Sequence, residues 1–173
     1  MKKALLVLSL CIPLGLFAQT WQQEAVNFIS FGKGKVLALA EKFTDDQYNW
    51  SPMEGVRSAR EVFLHIAGGN YFFMQASGFA LPEGLDPWAL DKTVTTKADV
   101  IKTLNDSYDF LTSHIMDIKD SQLTEEVKFP FPGEYTKRSA IMLSVDHCSE
   151  HLGQLIAYAR MNGIVPPWSE GGN

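Results

Sequence analysis

Between Thr96 and Ile118 the apolar residues Val100, Leu104, Leu111, Ile115 and Ile118 recur at spacings built from three and four. That is the period of one face of an α-helix, and a helix with one apolar face must bury it against another element. Three further stretches carry the same signal. The first runs from about Trp21 to Phe43 with Ala25, Ile29, Val36, Leu39, Ala40 and Phe43 on one stripe. Gly32 and Gly34 weaken its middle by roughly 1 kcal/mol each relative to alanine. The second begins at Ser58, where Ser58 and Glu61 form a capping-box pattern. It places Val62, His65, Ile66, Gly69 and Phe73 on one face and stops near Gly78. The seam already described starts near Thr96, with Asp99 completing a capping pattern. The last stretch runs from about Lys137 to Asn162, where Gly163 is placed to end it and Pro166-Pro167 prevents continuation.

The connections are punctuated by proline and glycine. The segment 44–57 holds Trp50, Pro52 and Gly55 and reads as a folded loop. The segment 79–95 is longer, and its length fits a crossover between helices that are not neighbours in a simple hairpin. Within 120–135, Val127, Phe129 and Phe131 alternate with other residues and can form a short extended piece. The architecture expected is all-α: an antiparallel four-helix bundle with long interhelical connections.

Composition agrees with one domain. Of 173 residues, 46% are apolar and 20% charged, enough for a substantial core and too few charges for disorder. Residues 1–18 read as a signal peptide, with Lys2 and Lys3 ahead of an apolar run that ends at Ala18. Pro13 and Gly15 interrupt that run, which is short for a membrane span of roughly 20 residues. A lipoprotein signal ending at Cys11 fits less well, because Leu10 is bulky where a small residue is wanted. Cleavage after Ala18 removes two lysines and no acids, taking the formal charge from −5 to −7. The mature domain, 19–173, is then acidic without a basic cluster, which argues against nucleic acid as a partner. The expectations are an exported chain, periplasmic or extracellular, with no stable membrane insertion after cleavage. Its partner would be a small-molecule substrate, and a homodimer is compatible with the sequence. Cys148 alone would remain, so no intrachain disulfide can form, and a packed core thiol is the reading for it.

Chemistry concentrates in the string Asp146-His147-Cys148-Ser149-Glu150-His151. Residues four apart share a helix face, so both imidazoles can approach one ion. Their face also carries Ala140, Ser144, Gln154, Leu155 and Tyr158, which makes it largely interior. Buried imidazoles need polar partners, and a metal meets that need. His65 sits on the inward face of the second helix, between Val62 and Gly69. Three inward histidines on two helices are most simply one ligand set: His65, His147 and His151. His114 lies on the flank of its seam and reads as partly exposed and structural. Asp146 and Glu150 fall about a hundred degrees off the ligand face and read as solvated. Gln154, Asn70, Tyr71 and Tyr158 are the polar groups expected to line the pocket, with Trp50 and Phe73 as its walls or as plain packing.

The chain resembles the DinB-like superfamily, which includes YfiT-like proteins. The resemblance rests on Asn49-Trp50-Ser51-Pro52 before Gly55, Ser58 through His65, and Tyr135-Thr136-Lys137-Arg138 leading into His147 and His151. It continues through Gly153-Gln154 to Gly163 and Pro166-Pro167. It implies a four-helix bundle with a divalent metal on His65, His147 and His151. Some members of the family look like metal-dependent hydrolases, and others like thiol-dependent transferases or isomerases. The export signal departs from the cytoplasmic thiol-using members, since reduced thiols are scarcer outside the cytoplasm.

Three imidazoles suit zinc, nickel, copper and iron alike, with zinc or nickel the first expectation. Three protein ligands leave a position open, the arrangement of a catalytic rather than a structural zinc site. A metal-dependent hydrolase is therefore the leading expectation, with a thiol-dependent transferase or a non-catalytic metal-binding or stress protein as alternatives. The sequence presents no obvious general base, and no catalytic residue is assigned.

Overall fold

A computed structural model describes residues 20–171. The expected signal peptide and its cleavage point after Ala18 lie outside the described residues. In chain order the elements are helices α1 (Trp21–Lys42), α2 (Asp45–Tyr48), α3 (Ala59–Ala76), α4 (Leu90–Thr93) and α5 (Lys97–Asp117). A two-stranded hairpin, β1 (Glu126–Val127) and β2 (Tyr135–Thr136), then precedes α6 (Lys137–Met161). The four long helices make the expected bundle. Every residue of the α1 and α5 seams named above is buried.

The termini of the helices follow their local chemistry. Ser58 Oγ accepts from the Glu61 amide at 3.3 Å, and Glu61 Oε2 accepts from the Ser58 amide at 2.7 Å, so the expected capping box opens α3. Thr96 caps α5 through the Asp99 amide at 3.2 Å, but the Asp99 carboxylate turns to the Thr96 hydroxyl instead of the backbone. Gly163, with φ 71°, takes the left-handed conformation that ends α6. Helix α1 runs unbroken through Gly32 and Gly34. At Gly32 the reason is packing: a Cβ there would sit 3.1 Å from Cys148 Sγ on α6.

Helix α1 packs on α5 and α6, and α3 packs on the same two. Two of these interfaces are antiparallel. Gln22, at the start of α1, donates to the Ile118 carbonyl beyond α5 at 2.8 Å, while Lys97, at the start of α5, donates to the Phe43 carbonyl. Tyr158, late in α6, donates to the Arg57 carbonyl just ahead of α3. The other two interfaces are parallel. The Arg138 guanidinium lies over the Trp21 ring at one end of α1 and α6, and Gln47 donates to the Asn162 carbonyl at the other. Arg60 donates to the Val94 carbonyl just before α5, and Phe79, beyond α3, packs on His114 late in α5.

The parallel pair explains the long connection 77–96. Helices α3 and α5 are spatial neighbours, yet no hairpin can join them. The chain must first return along the 18 residues of α3, about 27 Å. On the way it forms α4. The segment 44–57 likewise contains α2, closed by a Thr44–Gln47 capping box. Both helices have four residues, too few for an apolar period to show in sequence. Tyr48 of α2 stacks on Phe63 and donates to the Ala40 carbonyl, which fixes the loop against the core. In the third connection Val127 alone of the three alternating residues is in a strand; Phe129 and Phe131 stack on each other in the hairpin loop.

Candidate metal centre

The antiparallel α3–α6 interface brings His65, His147 and His151 together. Each offers one ring nitrogen, and the three nitrogens lie within 4.8 Å of one another. Ring centroids are 4.6 Å apart for His65–His151 and His147–His151 and 4.8 Å apart for His65–His147. The Nε2 atoms of His65 and His147 approach to 3.1 Å. Two ligands of a tetrahedral ion with bonds of roughly 2.1 Å would be about 3.4 Å apart, so the His65–His147 pair is already near that spacing, while the full set, spread within 4.8 Å, would draw in around an ion.

Burial keeps His65 and His147 in the form a metal needs. Desolvation, helped by the Arg57 charge and by His151, pushes His65 down to about 4. Desolvation, with His151, His65 and Arg57 adding to it, pushes His147 down to about 3. Both are neutral near pH 7, and a neutral imidazole is the ligand form.

His151 is oriented by a chain of hydrogen bonds whose direction can be deduced. The Arg57 carbonyl can only accept, so Tyr158 donates its hydroxyl proton there, at 3.1 Å. The Tyr158 oxygen then accepts from Gln154 Nε2 at 2.9 Å. Gln154 therefore turns Oε1 toward His151 Nδ1, 2.9 Å away. An amide oxygen cannot donate, so Nδ1 carries the proton and Nε2 is left free. A metal-binding histidine is commonly held by such an outer partner. His147 lacks one: its Nδ1 is buried with no hydrogen-bond partner among the described residues. Its ring is held instead by space. A Cβ at Gly69 would lie 2.7 Å from that Nδ1, so glycine is what lets α3 and α6 close over the imidazole. Phe73 packs edge-on against the same ring at 5.7 Å.

His65 forms part of the wall of an open cleft of about 480 Å³ that also exposes Gly55, Arg57, Glu61, Trp88 and Asp91. Among the pocket residues expected from sequence, Gln154 and Tyr158 stand in the chain behind His151, and Trp50 packs edge-on against Tyr158 at 5.2 Å. Asn70 and Tyr71 do not line the site. They lie on the flank of α3 that faces α5, where Asn70 donates to Ser107 at 3.1 Å and Tyr71 packs on Phe110. Five and six residues past His65, their positions have turned well away from its face. Asp146 and Glu150 are exposed, and Cys148 is a core thiol 2.9 Å from the Tyr108 hydroxyl. His114 is partly exposed and packs on Phe79 and Phe110.

Sequence reasoning missed three residues of the site and the role of a fourth: Gly69 was placed on the His65 face, but not as the space that His147 fills. Glu61 sits four residues before His65, so helical spacing alone could have placed it at the site. Arg57 and Trp88 lie on connections, where no period gives direction.

The comparisons with known proteins agree with this fold. The model of the DinB superfamily matches residues 31–155. The chain belongs to the DinB superfamily. Its relative YjoA of Bacillus subtilis, an uncharacterized protein, is 29% identical over 128 residues, covering 72% of this chain and 80% of YjoA. The crystal structure of YjoA superposes with a TM-score of 0.65 at 24% identity, over 82% of this chain and 93% of that one. A DinB-like protein from Bacillus cereus gives a TM-score of 0.72 at 15% identity, over 86% and 97%. YfiT from Bacillus subtilis gives 0.68 at 18% identity, over 88% and 94%; it is described as a probable metal-dependent hydrolase with an unusual four-helix bundle topology. At these identities the structures speak for the DinB fold.

Three imidazoles with no carboxylate or thiolate among them fit a divalent ion of borderline softness. Gly69→Ala tests how the DinB bundle holds His147. The added methyl should displace the ring and weaken zinc binding by about tenfold or more, while the fold persists, since crowding of this kind typically costs about 1–3 kcal/mol. Competition with a chromophoric chelator reads the affinity, and thermal unfolding reads the stability. Unchanged affinity would show that Gly69 does not position His147.

Proposed function

We propose that this chain is an exported metal-dependent hydrolase acting on a small molecule, with one divalent ion, zinc or nickel, on His65, His147 and His151. The observation that carries the reading is the convergence of three imidazoles beside an open cleft. A structural zinc site is ordinarily closed by four protein ligands, whereas three leave a position for water or substrate. The likeness of YfiT, a probable metal-dependent hydrolase, supports the same class.

When bound, the ion would supply a Lewis acid that polarises a carbonyl or phosphoryl oxygen and acidifies water. The chain's own residues do the rest. Gln154 keeps the proton of His151 on Nδ1, so that Nε2 stays a lone-pair donor. Glu61 is a carboxylate of the cleft with one oxygen bound by the Ser58 amide and hydroxyl. Those two bonds, the backbone one first, hold its carboxyl below the usual range. It is thus ionised and suited to accepting a hydrogen bond from water, though a weak base for keeping the proton. Trp88, largely exposed at the cleft, offers an apolar wall to a substrate.

Export rests on the basic, apolar and small residues of the first 18 positions, and the acidic mature chain supports a partner other than nucleic acid. N-terminal sequencing of the protein from its native host should find a start near Gln19; a protein still carrying Lys2 and Lys3 would remove the export reading.

The catalytic reading is tested with ester, amide and thiol-transfer substrates on metal-loaded wild type, chelated protein, His147→Ala and Gln154→Ala. His147→Ala should lose tight metal binding and turnover and keep its fold, because the bundle seams do not depend on that ring. Gln154→Ala should keep the three ligands and lose about 10- to 100-fold in metal affinity or activity. Turnover that is the same in chelated protein or His147→Ala as in metal-loaded wild type would overturn the assignment.

A further inference from the structure

The guanidinium of Arg57 stands at the cleft with no hydrogen bond or ion pair to any side chain among the described residues. Two of its charged neighbours are otherwise engaged, and the third, Asp91, makes no side-chain bond to it. Arg60 is spent on the carbonyls of Asp91 and Val94, and Glu61 on the Ser58 cap. The backbone of Arg57 is held in place: its carbonyl accepts from Tyr158, the end of the chain that begins at His151. The side chain is thus carried on a backbone fixed relative to the histidines.

Arg57 shares the cleft with His65 and keeps its guanidinium donors free for a ligand. None of the three histidines brings a charge to offset an ion. The charged side chains of the cleft, Arg57, Glu61 and Asp91, leave one net negative charge, and a divalent ion would make that one net positive. A guanidinium is always charged and its forked donors match the paired oxygens of a carboxylate or a phosphate. We propose that the substrate carries a compact oxyanion, a carboxylate or a phosphate, which Arg57 binds while the reacting group is presented to the metal; this rests on the metal-centre reading above.

Cobalt-loaded protein provides the test, because the visible spectrum of cobalt reports both the ion and anything that joins it. Three hydroxamates share one metal-binding head: acetohydroxamate is neutral at its tail, succinic monohydroxamate ends in a carboxylate, and phosphonoacetohydroxamate ends in a phosphonate. Titrated into wild type, at least one anionic probe should bind about tenfold tighter than acetohydroxamate, the scale of one charge-assisted contact. The stronger of the two identifies carboxylate or phosphate as the group read. In Arg57→Gln the preference should fall to about one, and Arg57→Lys should restore part of it. Equal binding of all three probes to wild type, or a preference that survives in Arg57→Gln, overturns the anion assignment alone. Failure to hold cobalt, or a spectrum that no hydroxamate changes, overturns the open metal centre and this proposal with it. Arg57 is exposed and outside the core, so circular dichroism of both variants should match wild type.

Discussion

The close approach of α3 and α6 at Gly69 governs this molecule. His147 needs the volume that a side chain at Gly69 would fill, and His65 and His151 need the two helices near enough for their rings to meet. The antiparallel pairing sets which residues meet: four residues along α3 from His65 answers four residues back along α6 from His151. Once the helices are that close, the imidazoles lose water, and the loss keeps at least two of them neutral. The same burial that would penalise three polar rings prepares them as ligands.

Around that contact the polar groups of the bundle are divided by interface. On the α3–α6 side they form a directed chain from His151 through Gln154 and Tyr158 to the loop before α3. Toward α5 the pairs are Asn70 with Ser107 and Tyr108 with Cys148, which close on themselves within the core. The first arrangement reaches the surface at Arg57 and the cleft; the second does not. That difference sets the α3–α6 interface, where the histidines meet beside a cleft, apart from the other interfaces of the bundle.

The topology serves the same end. Running α3 parallel to α5 makes the chain return along the bundle through 77–96, and this connection brings Trp88 and Asp91 to the cleft. The connection before α3 brings Arg57. A bundle closed by short hairpins would have no chain at this position from which to build a wall. The two loops provide Arg57, Trp88 and Asp91 to the cleft, while the helices provide Glu61 and the rigid histidine set, the usual division between scaffold and loop.

The helices, their caps and the three histidines were legible in the sequence because each is a local or periodic property. Ser58 and Glu61 meet within one turn, the α5 seam repeats at helical spacing, and His147 and His151 share a face by virtue of being four apart. The same logic placed Cys148 in the core and left Asp146 and Glu150 in water. It failed for Asn70 and Tyr71, whose residue types suit a pocket but whose angular positions turn them toward α5. It was silent on α2 and α4, which are shorter than the period that would reveal them. Sequence by itself therefore determined which residues form helices and which imidazoles face inward, since both follow from 3.6 residues per turn. Tertiary structure alone decided that α3 and α5 run parallel, that Gly69 makes room for His147, and that Arg57 and Trp88 share one cleft. These are distances between segments far apart in the chain, fixed by how whole helices pack and where connections must travel, and no local pattern encodes them.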